Sequence, residues 1–182
     1  MKGVVVAVNL ELKARISSRK QIERIALSFA RRKLVLKQTD TYFRIKNGRL
    51  KLRVINKKSA ELIFYLRNED TKRRWSAYEV YPLHSPKKMK EMLSNALGVL
   101  IEVKKERTLW MYKNARIHID KVALLGDFIE FEVMVVKGKT QAIHLYKELV
   151  IRFGIRENQM IAESYSDLLL RAARQMHKLH RN

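Results

Sequence analysis

In residues 8–15, VNLELKAR, an amide, an acid and a base stand two apart: Asn9, Glu11 and Lys13. Val8, Leu10, Leu12 and Ala14 fill the positions between. Side chains two apart on a strand share a face, so the segment reads as a strand with one apolar and one charged face. The pattern recurs. Arg49, Lys51 and Arg53 alternate with Leu50, Leu52 and Val54, and Arg67 follows Glu61, Ile63 and Tyr65 on one face. Lys105 and Arg107 share a face with Val103, and Arg116, His118 and Asp120 oppose Ile117 and Ile119. Glu130 and Glu132 oppose Ile129, Phe131 and Val133. The charges sort by strand, some faces carrying bases alone and one carrying acids alone. Bases with no matching acids ask for an anion, and bunched carboxylates ask for a cation. A triphosphate with a divalent metal supplies both. The plain alternative is a sheet whose polar face is simply wet.

The elements that must position these residues follow from the same periodicity. Strands are expected over residues 4–15, 35–46, 49–56, 60–67, 74–83, 100–110, 115–122 and 128–136. Asn47-Gly48 marks one hairpin, and NKKS and YKNA mark two more. Helices fill the longer gaps. Ser18 and Gln21 form a capping box before Ile22, Ile25, Ala26 and Phe29. Ser85-Pro86 opens a helix carrying Met89, Met92, Leu93, Ala96 and Leu97, ended by Gly98. Thr140 opens a third helix, closed by Gly154, and Ser164 a fourth bearing Leu168, Leu169, Ala172, Met176 and Leu179. Four apolar stripes need apolar sheet faces to pack on. Helices on the outside of a curved sheet would turn its charged face into an interior, as a closed eight-stranded barrel allows. Few breakers interrupt the chain, with Gly 6 and Pro 2, so residues 1–182 read as a single domain.

Composition narrows the chemistry. There is no cysteine, hence no disulfide and no thiolate nucleophile or metal ligand. No stretch approaches the ~20 apolar residues of a membrane span, and the N-terminus lacks a signal-peptide pattern. A cytoplasmic protein is expected. The formal net charge is +21. Basic clusters at 31–33, 56–58, 71–74 and 87–90 read as external, where they suit polyanions such as RNA. The tripeptide GKT at 138–140 lacks the earlier glycine of a P-loop. His177 and His180 at a charged terminus read as solvated.

Several motifs, in order, resemble the CYTH family, the triphosphate tunnel metalloenzymes. They are NLELKAR, QTDTYF, GRLKLR, LIFYLR, VKKERTLW, RIHIDKVALLGDFIEFEV and SYSDLL, running from Val8 to about Leu170. The wording around Tyr65–Arg67 and residues 117–132 is most like proteins classed with class IV adenylate cyclases. The resemblance implies an α+β fold: an eight-stranded antiparallel β-barrel tunnel with helices packed outside. It implies Mg²⁺ or Mn²⁺ held by Glu11, Asp120, Glu130 and Glu132. It implies phosphate binding by Lys13, Lys51, Arg53, Arg67, Lys105, Arg107 and Arg116, with Lys13, Lys105 and Arg107 at the reacting phosphate. The partner implied is a triphosphate-bearing small molecule or polyphosphate. The activity implied is triphosphate hydrolysis or, alternatively, cyclisation of ATP to cyclic AMP. A non-catalytic polyphosphate- or RNA-binding module is the third reading. Asn9 departs from the family signature E-x-E-x-K, whose first position is acidic. It offers an oxygen but no charge, so a weakened or lost metal site is expected there. Crowded carboxylates repel, so neutralising one is expected to raise stability without metal.

Overall fold

The computed structural model describes residues 7–67 and 74–179. Eight strands form: β1 Ala7–Arg15, β2 Arg31–Phe43, β3 Arg49–Ile55, β4 Ser59–Arg67, β5 Arg74–Leu83, β6 Val99–Tyr112, β7 Ala115–Val122 and β8 Gly126–Met134. Four α-helices join them: α1 Arg19–Phe29, α2 Pro86–Leu97, α3 Lys139–Arg152 and α4 Tyr165–Leu179. The sheet closes on itself in the order β1-β5-β4-β3-β2-β6-β7-β8, with β8 returning to β1. Every pairing is antiparallel. The chain is thus an α+β barrel, as the alternating strands imply.

Register decides which face is inside. Glu11 pairs with Glu132, and Lys13 with Glu130, so all four share one face. Leu10, Leu12 and Ala14 take the other and join Ile117, Ile119, Ile129, Phe131 and Val133 in a buried layer. Ile22 and Ala26 of α1 and Ala142, Leu145 and Leu149 of α3 complete it. Leu93 and Leu97 of α2 lie on Phe43, Leu52 and Ala60. The helices α1, α2 and α3 therefore cover the outside and leave the charged face within.

Helix α4 does something else. Its Tyr165, Leu168 and Leu169 pack with Tyr42, Val103, Val122 and Phe128. Those strand residues stand at even spacing from Asp40, Lys105, Asp120 and Glu130, on the inner face, at one end of the barrel. The helix start is a reciprocal cap: Asp167 N donates to Ser164 Oγ at 3.2 Å, and Ser164 N to Asp167 Oδ2 at 3.0 Å. Arg49 ties this turn down, reaching Ser164 and Ser166 at 3.3 Å each and Asp167 at 2.9 Å. One mouth is closed by a capped helix.

Two local expectations shift. β2 begins at Arg31 rather than 35 and stops at Phe43, so a five-residue loop replaces the tight Asn-Gly hairpin. Gly48 has φ +75, and a Cβ there would stand 2.9 Å from Phe64 Cε2 and from the Tyr65 carbonyl oxygen. The glycine is needed for closeness to β4 as well as for its backbone angle. Met92 of α2 is 56% exposed, because only the Leu93–Leu97 edge of that stripe meets the sheet.

Phe131 is fully buried between barrel and helices. Phe131→Ala should cost about 3–5 kcal/mol in denaturant unfolding, while Met92→Ala should stay within about 0.5 kcal/mol.

Candidate functional site

The interior holds two connected ion clusters. The first lies where β3, β2 and β6 run side by side. Asp40 of β2 is 1% exposed. Arg53 grips it with both ends of its fork, Nε to Oδ1 and Nη2 to Oδ2, each at 2.8 Å. Lys51 Nζ reaches Oδ2 at 3.2 Å and Lys105 Nζ at 3.1 Å. The ammonium of Lys51 also stands over the rings of Tyr42 and Tyr65.

The second cluster spans β6, β7, β8 and β1. Arg107 holds Asp120 bidentately, at 2.7 and 2.6 Å, and reaches Glu130 at 2.5 Å. Lys13 meets Glu130 at 3.2 Å, donates to the Glu163 carbonyl at 3.1 Å and lies over the Tyr165 ring. The Tyr165 hydroxyl donates to Asp120 at 3.0 Å. Arg116 meets Glu132 at 2.9 Å. His118 Nδ1 stands 3.6 Å from Glu132 and 3.9 Å from Glu130. Glu11 accepts from the Tyr78 hydroxyl.

Strand register thus gathers Glu11, Lys13, Lys51, Arg53, Lys105, Arg107, Arg116, Asp120, Glu130 and Glu132 into one interior. Arg67 ends β4, opposite Ser76, and its side chain lies outside the described residues. The apparent sorting of charge by strand is undone across strands. Bases that look unmatched along β3 and β6 face Asp40 and Asp120 on their neighbours. Sequence alternation reports faces, not partners. The residues it missed are Asp40, Tyr78 and Tyr165, while His118, read on the charged face of β7, lies beside Glu132 and Glu130. Only the common period with Gln38 and Tyr42 hints at Asp40.

Burial and pairing compete in these groups. Burial would raise the Asp40 carboxyl, but Arg53, Lys105 and Lys51 hold it well below the usual range. Burial lowers Lys105 to about 7; Asp40 pulls it upward, while Arg53, Arg107 and Lys51 push it down. Burial would raise Glu130 too, yet Lys13 and Arg107 keep it well below normal. Glu132 is lowered against its burial by His118 and Arg116.

A metal's fit can be judged from donor atoms. Asn9 is 1% exposed, and its Oδ1 finds no hydrogen-bond donor among the described residues. It shares the inner face of β1 with Glu11, which pairs with Glu132. These hard oxygens suit Mg²⁺ or Mn²⁺. Glu130 and Asp120 are drawn instead to Arg107. Among the described residues no three carboxylate or imidazole side chains converge tightly enough to hold an ion. The donor types fit, and engagement of an ion asks the carboxylates to turn from their bases.

Outside the barrel, a groove of about 640 Å³ carries Lys37, Lys57, Lys104 and Lys121, with Glu106 among them. Lys87 and Lys88 are exposed on α2. Residues 71–73 and His180 lie outside the described residues, as do the side chains of Arg74 and His177. Among the described residues no helix is long and apolar enough to cross a membrane.

The pairing of Glu130 reverses the expectation of carboxylate relief. Glu130→Gln removes the carboxylate that Lys13 and Arg107 share, leaving Arg107 with Asp120 and Lys13 with the Glu163 carbonyl, and should cost about 3 kcal/mol near pH 7. A carboxyl held below its unfolded value stabilises above that value, about 4.3, and loses the contribution as pH falls through the folded one. Denaturant unfolding at several pH values should therefore show a constant gap between wild type and Glu130→Gln from pH 5 to 7 that narrows progressively below about pH 4.

Comparison with known proteins agrees with the barrel fold. The chain is similar to the PH1012 protein of Pyrococcus horikoshii, with a TM-score of 0.80 at 21% identity over 88% of this chain and 98% of that one. A candidate adenylate cyclase from Vibrio parahaemolyticus gives a TM-score of 0.71 at 20% identity, over 88% and 97% of the two chains. The candidate adenylyl cyclase HpAC1 from Hippeastrum, described as having a dominant triphosphatase activity, gives 0.66 at 12% identity, over 92% and 96%. At such identities the likeness is one of fold. No curated protein matches the chain in sequence. The CYTH domain profile matches residues 7–165, most of the chain, and with that match the protein belongs to the CYTH family.

Proposed function

We propose that this protein hydrolyses a phosphoanhydride bond of a triphosphate, with Mg²⁺ or Mn²⁺. The observation that carries the reading is the convergence of Lys13, Lys51, Arg53, Lys105 and Arg107 on one interior that also holds Glu11, Asp120, Glu130 and Glu132. Family membership supports it, and so does the fold shared with HpAC1. Arginine binds phosphate bidentately and stays charged at any working pH. Arg53 and Arg107 are the proposed grips, with Arg116 beside them; Arg67 is assigned to the same role from the family resemblance alone. Lys13, Lys105 and Arg107 face the reacting phosphate. Their fixed charge stabilises the charge that spreads over phosphoryl oxygens in the transition state. Glu11, Glu130 and Glu132, with Asp120 and the buried Asn9 oxygen, are the groups to hold a divalent ion. When bound, that ion supplies charge that polarises phosphoryl oxygens and neutralises the leaving group. Water oxygen joins the terminal phosphorus, the bridging P–O bond breaks, the departing diphosphate keeps the electron pair, and the protons of the attacking water stay on the released orthophosphate or pass to solvent.

Cyclisation of ATP is the alternative in the same site. There the ribose 3′-hydroxyl replaces water and pyrophosphate leaves. It needs a pocket for adenosine and a base for that hydroxyl, and among the described residues we recognise no set for either. Hydrolysis demands less of the tunnel. The outer lysine groove favours a separate reading of the surface, contact with RNA. That contact should be strongly salt-sensitive, since each phosphate contact releases counterions.

Product analysis tests the reaction. With Mn²⁺ or Mg²⁺ present, tripolyphosphate or a nucleoside triphosphate should release orthophosphate and little cyclic AMP. Cyclic AMP with equal pyrophosphate as the main products from ATP would reverse the choice. Glu132→Gln should lower turnover by at least about a hundredfold, on the scale of losing an electrostatic group at a reacting centre, with the folded state retained by circular dichroism. Asn9→Glu should shift the metal titration to lower concentration.

A further inference from the structure

The bases of the first cluster are held before any ligand arrives. Lys51 and Arg53 come from β3 and Lys105 from β6, on either side of β2. Their side chains meet only because Asp40 stands between them, accepting from all three. An ammonium has three donors and a guanidinium five. Asp40 takes one from each lysine and two from Arg53, so most donors remain for another oxyanion. Three positive charges against one negative also leave an excess of charge. Without the carboxylate, three buried like charges would repel, and two long lysine chains would lose their common target.

We propose that Asp40 is the positioning residue of the phosphate cradle: one buried carboxylate gathers Lys51, Arg53 and Lys105 onto a single point of the interior and leaves their outer donors for a phosphate. The inference rests on the triphosphate reading above, since it assigns those three bases to the substrate. Asp40 itself touches no substrate. It acts through the bases.

Lys105 gives the readout. It is faced by Asp40 from β2, Lys51 and Arg53 from β3, Arg107 on its own strand, Glu130 from β8 and the Tyr165 ring from α4 at 5.6 Å. Of its leading influences Asp40 alone favours the charged form. A bound phosphate adds another negative charge, so binding favours the protonated lysine. Affinity therefore weakens as pH rises through the titration of Lys105.

The experiment is tripolyphosphate binding by calorimetry from pH 6 to 9 at fixed Mg²⁺, beside titration of the lysine amines by ¹⁵N NMR without ligand. Lys105→Met identifies the Lys105 signal and subtracts the ligand's own protonation. In Asp40→Asn, the Lys105 midpoint should fall by about one unit or more. The affinity at pH 7.5 should drop about tenfold, with the loss shrinking toward pH 6. A uniform loss at every pH with an unmoved Lys105 midpoint is what a merely structural carboxylate would give, and it would overturn the proposal. If Asp40→Asn does not fold, Asp40→Glu decides. It keeps the charge but displaces it by one methylene, so affinity should fall severalfold, and wild-type affinity would overturn the proposal. Failure of the wild type to bind tripolyphosphate would sink the triphosphate reading instead. The Lys105 midpoint in Asp40→Asn would still decide whether Asp40 holds the cluster.

Discussion

A charge taken out of water must find a partner, and the whole barrel is arranged around that requirement. Its interior carries acids and bases at a density that neither surface hydration nor an apolar core could sustain. The bonds that make it tolerable cross strands. Asp40 reaches β3 and β6, Asp120 and Glu130 share Arg107, and Lys13 spans β1 to β8. None of these pairs forms unless the neighbouring strands are already in register. Closure of the sheet and neutralisation of its contents are one event.

The same arrangement explains the chemistry the tunnel can offer. A buried base gripped by a carboxylate is preorganised at no further entropic cost. On the proposed reading, a substrate bringing phosphate oxygens, together with a cation for the carboxylates, would exchange one set of charge contacts for another. Little charge is stripped of partners along the way. Arg107 sits at the junction, since it holds both Asp120 and Glu130 and is itself the kind of group phosphate prefers. Helix α4 seals one end of this compartment with Tyr165 bonded to Asp120 and Lys13 bonded to the Glu163 carbonyl. The seal and the ion network therefore share members.

Much of this was legible in the residues. Strands β1, β3, β7 and β8 alternate through most of their length, and their charged faces lie where alternation places them once helices claim the apolar side. The stripe of α1 reads equally well, because its Ile22 and Ala26 pack against one sheet layer. Asp40 was not legible, for a physical reason. Around it Lys37, Thr39 and Thr41 face one way and Gln38 and Tyr42 the other, so β2 has no apolar face to set a contrast. Nor could any single strand reveal that the acid matching β3 and β6 lies between them. Helix α4 shows the same limit. Its stripe is plain in sequence, but the inner-face residues it meets come from β2, β6, β7 and β8.

The alternation of β1 has a further consequence. Leu10, Leu12 and Ala14 belong to the outer layer, while Asn9, Glu11 and Lys13 belong to the compartment. One residue gained or lost within such a strand turns every following side chain to the opposite face. Glu11 and Lys13 would then enter the layer beneath α1 and α3, and leucines would face the ions. The barrel wall thus has something like a reading frame, with a period of two. Changes in length are free to accumulate in the connections, as in the loop of residues 44–48, but within the strands they are tolerable only in pairs or as bulges.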